Sequence, residues 1–120
     1  MVIKGEVILI SFPFTDLSQT KLRPAIVLWS NSVSNDIVIC AITSQNIDSF
    51  DEGEFLLDAT DPEFSQTGLR ISSKVRTTRI ATLDRQLAVR KLGYLSSQQV
   101  QQLNTQIILN TQIIQSFRLD

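Results

Sequence analysis

Arginine and hydroxyl side chains beside apolar runs are the residues of this chain best suited to chemistry. Arg23 precedes Pro24, and the apolar run Ala25-Ile-Val-Leu28 follows directly. Because proline fixes its own φ and favours extended backbone in the preceding residue, Arg23 is carried on a stiffened chain. Its guanidinium offers five N–H donors and a permanent charge, which suit a phosphate diester better than lysine does. The alternative is that Arg23 pairs with a surface carboxylate and Pro24 only begins a strand.

Two hydroxyl side chains, Thr43 and Ser44, directly follow the apolar run Ile37 to Ile42. Such hydroxyls can donate hydrogen bonds to phosphate oxygens. The alternative is that they cap the end of a strand through local backbone bonds, which is common for serine and threonine. These two hydroxyls indicate a functional site only if Arg23 lies beside them.

The charged residues are unevenly distributed along a chain whose formal net charge is only -1. Seven of the 12 acids lie between Asp48 and Glu63, and seven of the 11 bases lie between Arg70 and Lys91. Clustered bases can present the positive face that a phosphate backbone needs. The equally open alternative is that the acidic block neutralises the basic block across a sheet.

The absence of histidine excludes the commonest general base and the commonest transition-metal ligand, and so excludes zinc hydrolysis and any histidine-based triad. The one cysteine, Cys40, lies inside an apolar run and is predicted to be a buried structural thiol. We therefore expect no metal and no cofactor.

The hydrophobic pattern predicts a mainly β protein of about six short, mostly antiparallel strands that curl into a small barrel. A bulge or a bend is predicted at Thr77 and Thr78, where the alternation becomes unclear. In the same segment the alternation predicts one face with Leu69, Ile71, Ser73 and Val75 and another with Arg70, Ser72, Lys74 and Arg76. The predicted strands are Gly5–Phe12, Ala25–Trp29, Ile37–Ile42, Glu54–Leu57 and the long segment Leu69–Leu83.

The C-terminal segment is predicted to form one helix of about five turns. Ser96 and Gln99 have the spacing of a capping box, with Ser96 as the N-cap. An apolar stripe follows at Val100, Leu103, Ile107, Ile114 and Phe117. We expect this stripe to pack across the open face of the sheet, although it could also serve a subunit contact.

The length of 120 residues predicts a single domain, residues 1–120. No run approaches the roughly 18 apolar residues that a membrane span needs, and no secretory leader pattern opens the sequence. We therefore expect no membrane association and a cytoplasmic location.

Several short motifs occur in the order seen in the MazF/PemK (Kid) toxins, which this sequence resembles over nearly its whole length. The resemblance implies an SH3-like barrel with a C-terminal α-helix, a homodimer, and inhibition by a cognate antitoxin. Most of these toxins are sequence-specific endoribonucleases, so it also implies cleavage of single-stranded mRNA. The motifs are Gly5-Glu-Val-Ile-Leu-Ile, Phe12-Pro-Phe, Lys21-Leu-Arg-Pro-Ala-Ile-Val-Leu28, Ala41-Ile-Thr-Ser-Gln45, Gly68-Leu, Val75-Arg, Thr82-Leu-Asp84 and Arg90-Lys-Leu-Gly-Tyr-Leu-Ser96.

The resemblance implies that Arg23 and Thr43 are the catalytic residues of a metal-independent reaction. The RNA 2′-OH would attack the phosphorus, leaving a 2′,3′-cyclic phosphate, with Arg23 stabilising the phosphorane and Thr43 bonding a nonbridging oxygen. Phe14 would stack on a base. The remaining RNA-binding residues would be Lys21, Ser44, Lys74, Arg76, Thr78 and Arg79.

Two alternatives to the ribonuclease remain, of which the first follows from a departure from the family pattern. Some relatives carry Arg-X-Asp-Gln where this sequence reads Arg76-Thr-Thr-Arg79, so Thr78 replaces the proposed general base. The chain could therefore be a weak or silent module that binds RNA or antitoxin. A toxin that poisons a protein, like the CcdB branch, is disfavoured because those depend on a tryptophan near the C-terminus, whereas the only tryptophan here is Trp29.

Overall fold

The computed structural model describes residues 3–13 and 20–116. Within them the chain forms six β-strands, two short 3-10 turns at Phe64–Thr67 and Arg85–Leu87, and one α-helix. The elements are β1 (Glu6–Pro13), β2 (Thr20–Ser30), β3 (Asp36–Thr43), β4 (Glu54–Leu57), β5 (Ser73–Asp84), β6 (Ala88–Tyr94) and α1 (Ser97–Ser116).

The six strands form one sheet in the order β4-β5-β3-β2-β1-β6, with every neighbouring pair antiparallel. The prediction of a mainly β fold of about six strands with a C-terminal helix is confirmed. β2 begins at Thr20, earlier than the predicted start at Ala25, because Pro24 pairs with Leu9 of β1 in the body of the strand.

Both faces of the sheet bury apolar side chains, which explains why β1, β2 and β3 read as nearly continuous apolar runs. One face carries Val7, Ile26, Cys40 and Val75 and is covered by α1 through Leu103. The other face carries a second apolar cluster, formed by Ile8, Ile10, Ala25, Val27, Ile37 and Ile39. The prediction of a buried Cys40 is confirmed, and burial raises the pKa of its thiol to about 12.

The two edges of the sheet approach each other, which gives the curled shape of a small barrel. The 3-10 turn at Phe64–Thr67, which follows the edge strand β4, packs against the opposite edge strand β6. The approach is so close that a Cβ on Gly93 of β6 would lie 2.1 Å from the carbonyl oxygen of Gln66.

A bulge interrupts β5 at the predicted position. Ala41 pairs with Arg76 while the preceding residue, Cys40, pairs with Ile80, so Thr77 to Arg79 are extra residues on β5. Because three is an odd number, the bulge reverses the alternation of the strand. Residues on either side of it that differ in parity, such as 76 and 81, can therefore face the same side of the sheet.

The capping box at the start of α1 is confirmed. The Ser96 N–H donates to Gln99 Oε1 at 2.8 Å, and the Gln99 N–H donates to Ser96 Oγ at 3.2 Å. Leu103 is buried and Val100 and Ile107 are partly buried against the sheet, as the stripe predicted. Phe117 and the side chain of Ile114 lie outside the described residues. No described helix is long and apolar enough to cross a membrane.

The strand was predicted to begin at Leu69, with its side chains alternating between two faces from there on. This is wrong for Leu69 to Ser72, since β5 begins only at Ser73. Ile71, predicted to share a face with Val75, is 59% exposed, whereas Val75 is buried. The reason is that β4 ends at Leu57, whose partner is Ser73, so the residues before Ser73 have no strand to pair with there.

Candidate nucleic-acid groove

Strand pairing brings the two predicted catalytic residues to one face of the sheet. Ala25 of β2 pairs with Ala41 of β3, and the same register, continued by two residues, sets Arg23 opposite Thr43. Ala41 also pairs with Arg76 of β5. Side chains at opposed positions of an antiparallel pair point to the same face and lie close together. Arg23, Thr43 and Arg76 therefore occupy neighbouring rows on three adjacent strands.

These three side chains open into a common cavity of about 230 Å³. The cavity brings together three arginines and one hydroxyl from β2, β3 and β5, beside the aromatic ring of Phe12. Its lining residues are Phe12, Arg23, Ala41, Ile42, Thr43, Gln45, Arg76 and Arg79. The juxtaposition of Arg23 and Thr43 is what the sequence interpretation required.

A second cavity of about 170 Å³ adjoins the first, since both are lined by Thr43, Gln45 and Arg76. It is more polar because the turn after β3 contributes most of it. Its further lining residues are Asn46, Ser49, Asp51 and Lys74. Together the two cavities form one groove.

The Thr43 hydroxyl makes the local bond that was the alternative interpretation of this residue. Its oxygen accepts a hydrogen bond from the Gln45 N–H at 3.1 Å. That bond uses an acceptor position and leaves the O–H proton able to donate to a ligand oxygen. The bond therefore orients the hydroxyl at the groove without using its donor.

Arg79 reaches the groove because the β5 bulge carries it there. The bulge is held by Thr77, whose N–H donates to the carbonyl oxygen of Gly53 at 2.9 Å. The Thr77 hydroxyl donates to the same oxygen, and the Asn110 side chain of α1 donates to the Thr77 hydroxyl at 3.0 Å. These bonds connect the bulge both to the turn before β4 and to the helix.

A buried carboxylate, Glu54, lies beside the groove and was not singled out from the sequence. Glu54 Oε1 accepts from Lys74 Nζ at 3.0 Å, and Oε2 accepts from Arg76 Nε at 2.9 Å. The Asp51 N–H donates to Oε1 at 2.8 Å. The three side chains meet because Glu54 of β4 pairs directly with Arg76, and Lys74 is two residues from Arg76 on the same face.

Glu54 is ionised in this setting. Burial raises the pKa of its carboxyl, but the hydrogen bonds from Asp51, Lys74 and Arg76 outweigh it and hold the pKa below its usual range. Glu54 of the acidic block neutralises part of the charge of Lys74 and Arg76 across the sheet. The alternative that the acidic block offsets the basic block therefore holds on the Lys74 side of the groove. The sequence offered one acid at the start of the short apolar strand and two bases two residues apart in a later strand, but it did not determine that they pair.

The remaining predicted RNA-binding residues are placed differently. Lys74 lines the second cavity, but its side chain is only 8% exposed and its ammonium also donates to the Ser49 carbonyl oxygen at 2.9 Å. Lys21, Ser44 and Thr78 are exposed and are absent from the described lining of both cavities. Phe14 lies outside the described residues. Phe12, which sequence reasoning did not assign to the site, lines the groove, and so does Gln45, the first residue of the loop 45–53 that was expected to shape RNA recognition.

A family model for PemK-like, MazF-like toxins of type II toxin–antitoxin systems matches residues 3–110. The chain belongs to this family. The resemblance described from the sequence is thus confirmed, and with it the assignment to the toxins of type II toxin–antitoxin systems. No curated protein matches the sequence.

Solved structures of three mycobacterial proteins share the fold of this family member. An endoribonuclease from Mycobacterial species in complex with its cognate antitoxin is 16% identical, with a TM-score of 0.66, over 88% of this chain and 90% of that one. A second endoribonuclease from Mycobacterial species is 18% identical, with a TM-score of 0.62, over 87% and 85% of the two chains. The Mycobacterium tuberculosis toxin MazF-mt6 is 21% identical, with a TM-score of 0.65, over 85% and 91%.

Proposed function

We propose that this toxin is a sequence-specific endoribonuclease that cleaves single-stranded mRNA without a metal ion. The observation that carries the proposal is the single cavity that contains Arg23, Thr43, Arg76 and Arg79. Three guanidinium groups and a hydroxyl donor are what a scissile phosphate and its developing charge require. Two of the similar solved structures are endoribonucleases, which supports the same assignment.

The proposed reaction is an internal transesterification of the RNA. The 2′-oxygen attacks the adjacent phosphorus and the 5′-oxygen leaves, which gives a 2′,3′-cyclic phosphate and a 5′-hydroxyl. One proton leaves the 2′-OH and one reaches the 5′-oxygen, so no net proton is consumed. Arg23 stabilises the phosphorane and helps to transfer the proton, and Thr43 donates to a nonbridging oxygen.

The other groove residues have supporting roles in the proposal. Arg76 and Arg79 bind the flanking phosphates, and Phe12 offers a ring on which a base can stack. Lys74, which lines the second cavity with a side chain only 8% exposed, adds positive charge there. Lys21, Ser44, Thr78 and Phe14 remain proposed RNA contacts outside the described lining of the groove.

We further propose that residues 1–120 form one domain that acts in the cytoplasm as a homodimer. One of the similar solved structures contains a cognate antitoxin, which supports an antitoxin partner for this chain as well. The antitoxin segment expected here is acidic, so that its carboxylates occupy the phosphate positions beside Arg23 and Arg76. Raising the salt concentration should weaken that complex.

The test is to incubate the purified protein with a long single-stranded RNA in EDTA and to map the cut ends. Wild type should cut at short defined sites, and Arg23→Ala should lower the rate about 100-fold or more, as loss of one charge-stabilising donor does. Arg70→Ala is the matched control, because Arg70 is exposed and outside the described lining of the groove. Intact RNA with wild type, or unchanged cutting by Arg23→Ala, would contradict the proposal. Binding of RNA by wild type without cleavage would favour a silent binding module.

A further inference from the structure

The two cations of the buried ion cluster formed by Glu54, Lys74 and Arg76 differ in how far they are exposed to the groove. The Lys74 side chain is 8% exposed and its ammonium bonds both Glu54 and the Ser49 carbonyl oxygen. The Arg76 side chain is 30% exposed and lines both cavities. The net charge of the cluster is +1, and the arginine is the member through which that charge reaches a ligand.

The bond between Glu54 and Arg76 uses the inner nitrogen of the guanidinium. Among the described residues Arg76 pairs through Nε, whose hydrogen points at Glu54 Oε2. Since the guanidinium is planar and rigid, fixing Nε fixes the directions of the four N–H bonds on the two outer nitrogens. Those four bonds belong to a side chain that lines the groove.

Glu54 is itself held on every side. Its side chain is 2% exposed, both carboxylate oxygens accept hydrogen bonds, and its backbone N–H donates to the Asp51 carbonyl oxygen at 3.1 Å. A carboxylate this constrained can act as a rigid support for the arginine. It is unsuited to accept a proton from RNA, because its lone pairs already face Lys74, Arg76 and the Asp51 N–H.

We propose that Glu54 is a positioning residue, which aims the outer nitrogens of Arg76 at the RNA phosphate and sets the net charge of this side of the groove. The inference rests on the proposed ribonuclease function. The Glu54 side chain then has two separable effects. Its length fixes the position of Arg76 and therefore affects turnover, whereas its charge offsets one cation and therefore affects RNA binding.

Three variants separate these effects. Glu54→Asp keeps the charge but is one methylene too short to hold Arg76. Glu54→Gln keeps the length but removes the charge and faces Lys74 with an amide. Glu52→Gln is the matched control, because Glu52 is exposed and only two residues away.

The first measurement is kcat and KM on a short RNA that contains a mapped cleavage site, with the folded fraction of each variant checked by thermal unfolding. Glu54→Asp should lower kcat about 10- to 100-fold, the cost of a misplaced group, and leave the salt dependence of RNA binding unchanged. Glu54→Gln should lower kcat less than Glu54→Asp does, because it keeps the length of the side chain. It should steepen the slope of log affinity against log salt by up to about 0.7, the value for one added phosphate contact on a single strand. Glu52→Gln should leave kcat unchanged.

The second measurement needs neither activity nor a Glu54 variant. In ¹⁵N-labelled wild type, the Arg76 Nε–H resonance, assigned by its loss in Arg76→Lys, should exchange with water far more slowly than that of the exposed Arg70. Equal exchange rates, or a wild-type kcat in Glu54→Asp, would overturn the positioning role. Wild-type protein that leaves RNA intact while Arg76 Nε–H exchanges slowly would instead overturn the ribonuclease function.

Discussion

Replacing Gly53 with alanine should displace the bulge that brings Arg79 to the groove. Gly53 has φ +79°, a backbone conformation that side chains with a Cβ rarely adopt. An added Cβ would lie 2.8 Å from Thr77 Oγ1, 2.9 Å from Thr78 Cγ2 and 3.1 Å from Asn110 Oδ1. The side chain of Thr77 would have to move, although it anchors the bulge.

The cost can be worked out from these contacts. The positive φ costs about 1–2 kcal/mol for alanine. Moving Thr77 breaks its hydroxyl bond to Gly53 and the bond from Asn110, at about 1 kcal/mol each. We therefore expect a loss of about 3–4 kcal/mol in the free energy of unfolding. Gly5→Ala is the matched control, because Gly5 has φ +91° but its nearest neighbour would be Val100 Cγ2 at 4.0 Å.

Thermal unfolding followed by circular dichroism measures the difference between the two variants. At about 4 °C per kcal/mol for a domain of this size, Gly53→Ala should lower Tm by about 12–16 °C and Gly5→Ala by about 4–8 °C. Gly53→Ala should also cleave RNA more slowly at a temperature where it is fully folded, because Arg79 moves with the bulge. Equal losses of Tm in the two variants would refute the argument from close contact.

Three further predictions concern single groups. The fold lowers the pKa of Glu54, so its ionised form stabilises the protein above the unfolded pKa of about 4.3, and this contribution is lost as the pH falls through the lower folded pKa. Wild type should therefore lose more Tm between pH 6 and pH 3 than Glu54→Gln, and parallel losses would contradict this. The thiol of Cys40, with its pKa raised to about 12, should react with a thiol reagent far more slowly in native protein than in urea. Ser96→Ala should cost about 1 kcal/mol in urea unfolding through loss of the cap to Gln99, and no change would show that the cap is dispensable.

The sequence predicted those features that depend on local pattern. The capping box of Ser96 and Gln99 is a contact within four residues, and the broken alternation at Thr77 and Thr78 marked a real bulge. The family resemblance, rather than local pattern, predicted that Arg23 and Thr43 act together. In the structure the antiparallel register of β2 on β3, continued by two residues from Ala25 and Ala41, sets them opposite each other.

The features that the sequence did not reveal depend on the register between distant strands. The pairing of Glu54 with Lys74 and Arg76 follows from the register of β4 on β5, which no local pattern determines. The burial of Lys74 follows from the same register. The sequence predicted this lysine on a basic face, whereas its side chain is buried beside Glu54. The exposure of Ile71 likewise follows from where β4 ends, since a strand lasts only as long as its partner.

The most direct test of the central claim is a double-mutant cycle between Arg23 and Thr43, measured as kcat/KM on an RNA that contains a mapped cleavage site. If the two side chains act on the same phosphate across the shared cavity, the combined Arg23→Ala and Thr43→Val variant should be much less impaired than the product of the two single effects. Losses that simply multiply would mean that the two residues act independently, and a Thr43→Val variant with wild-type activity would contradict the account outright.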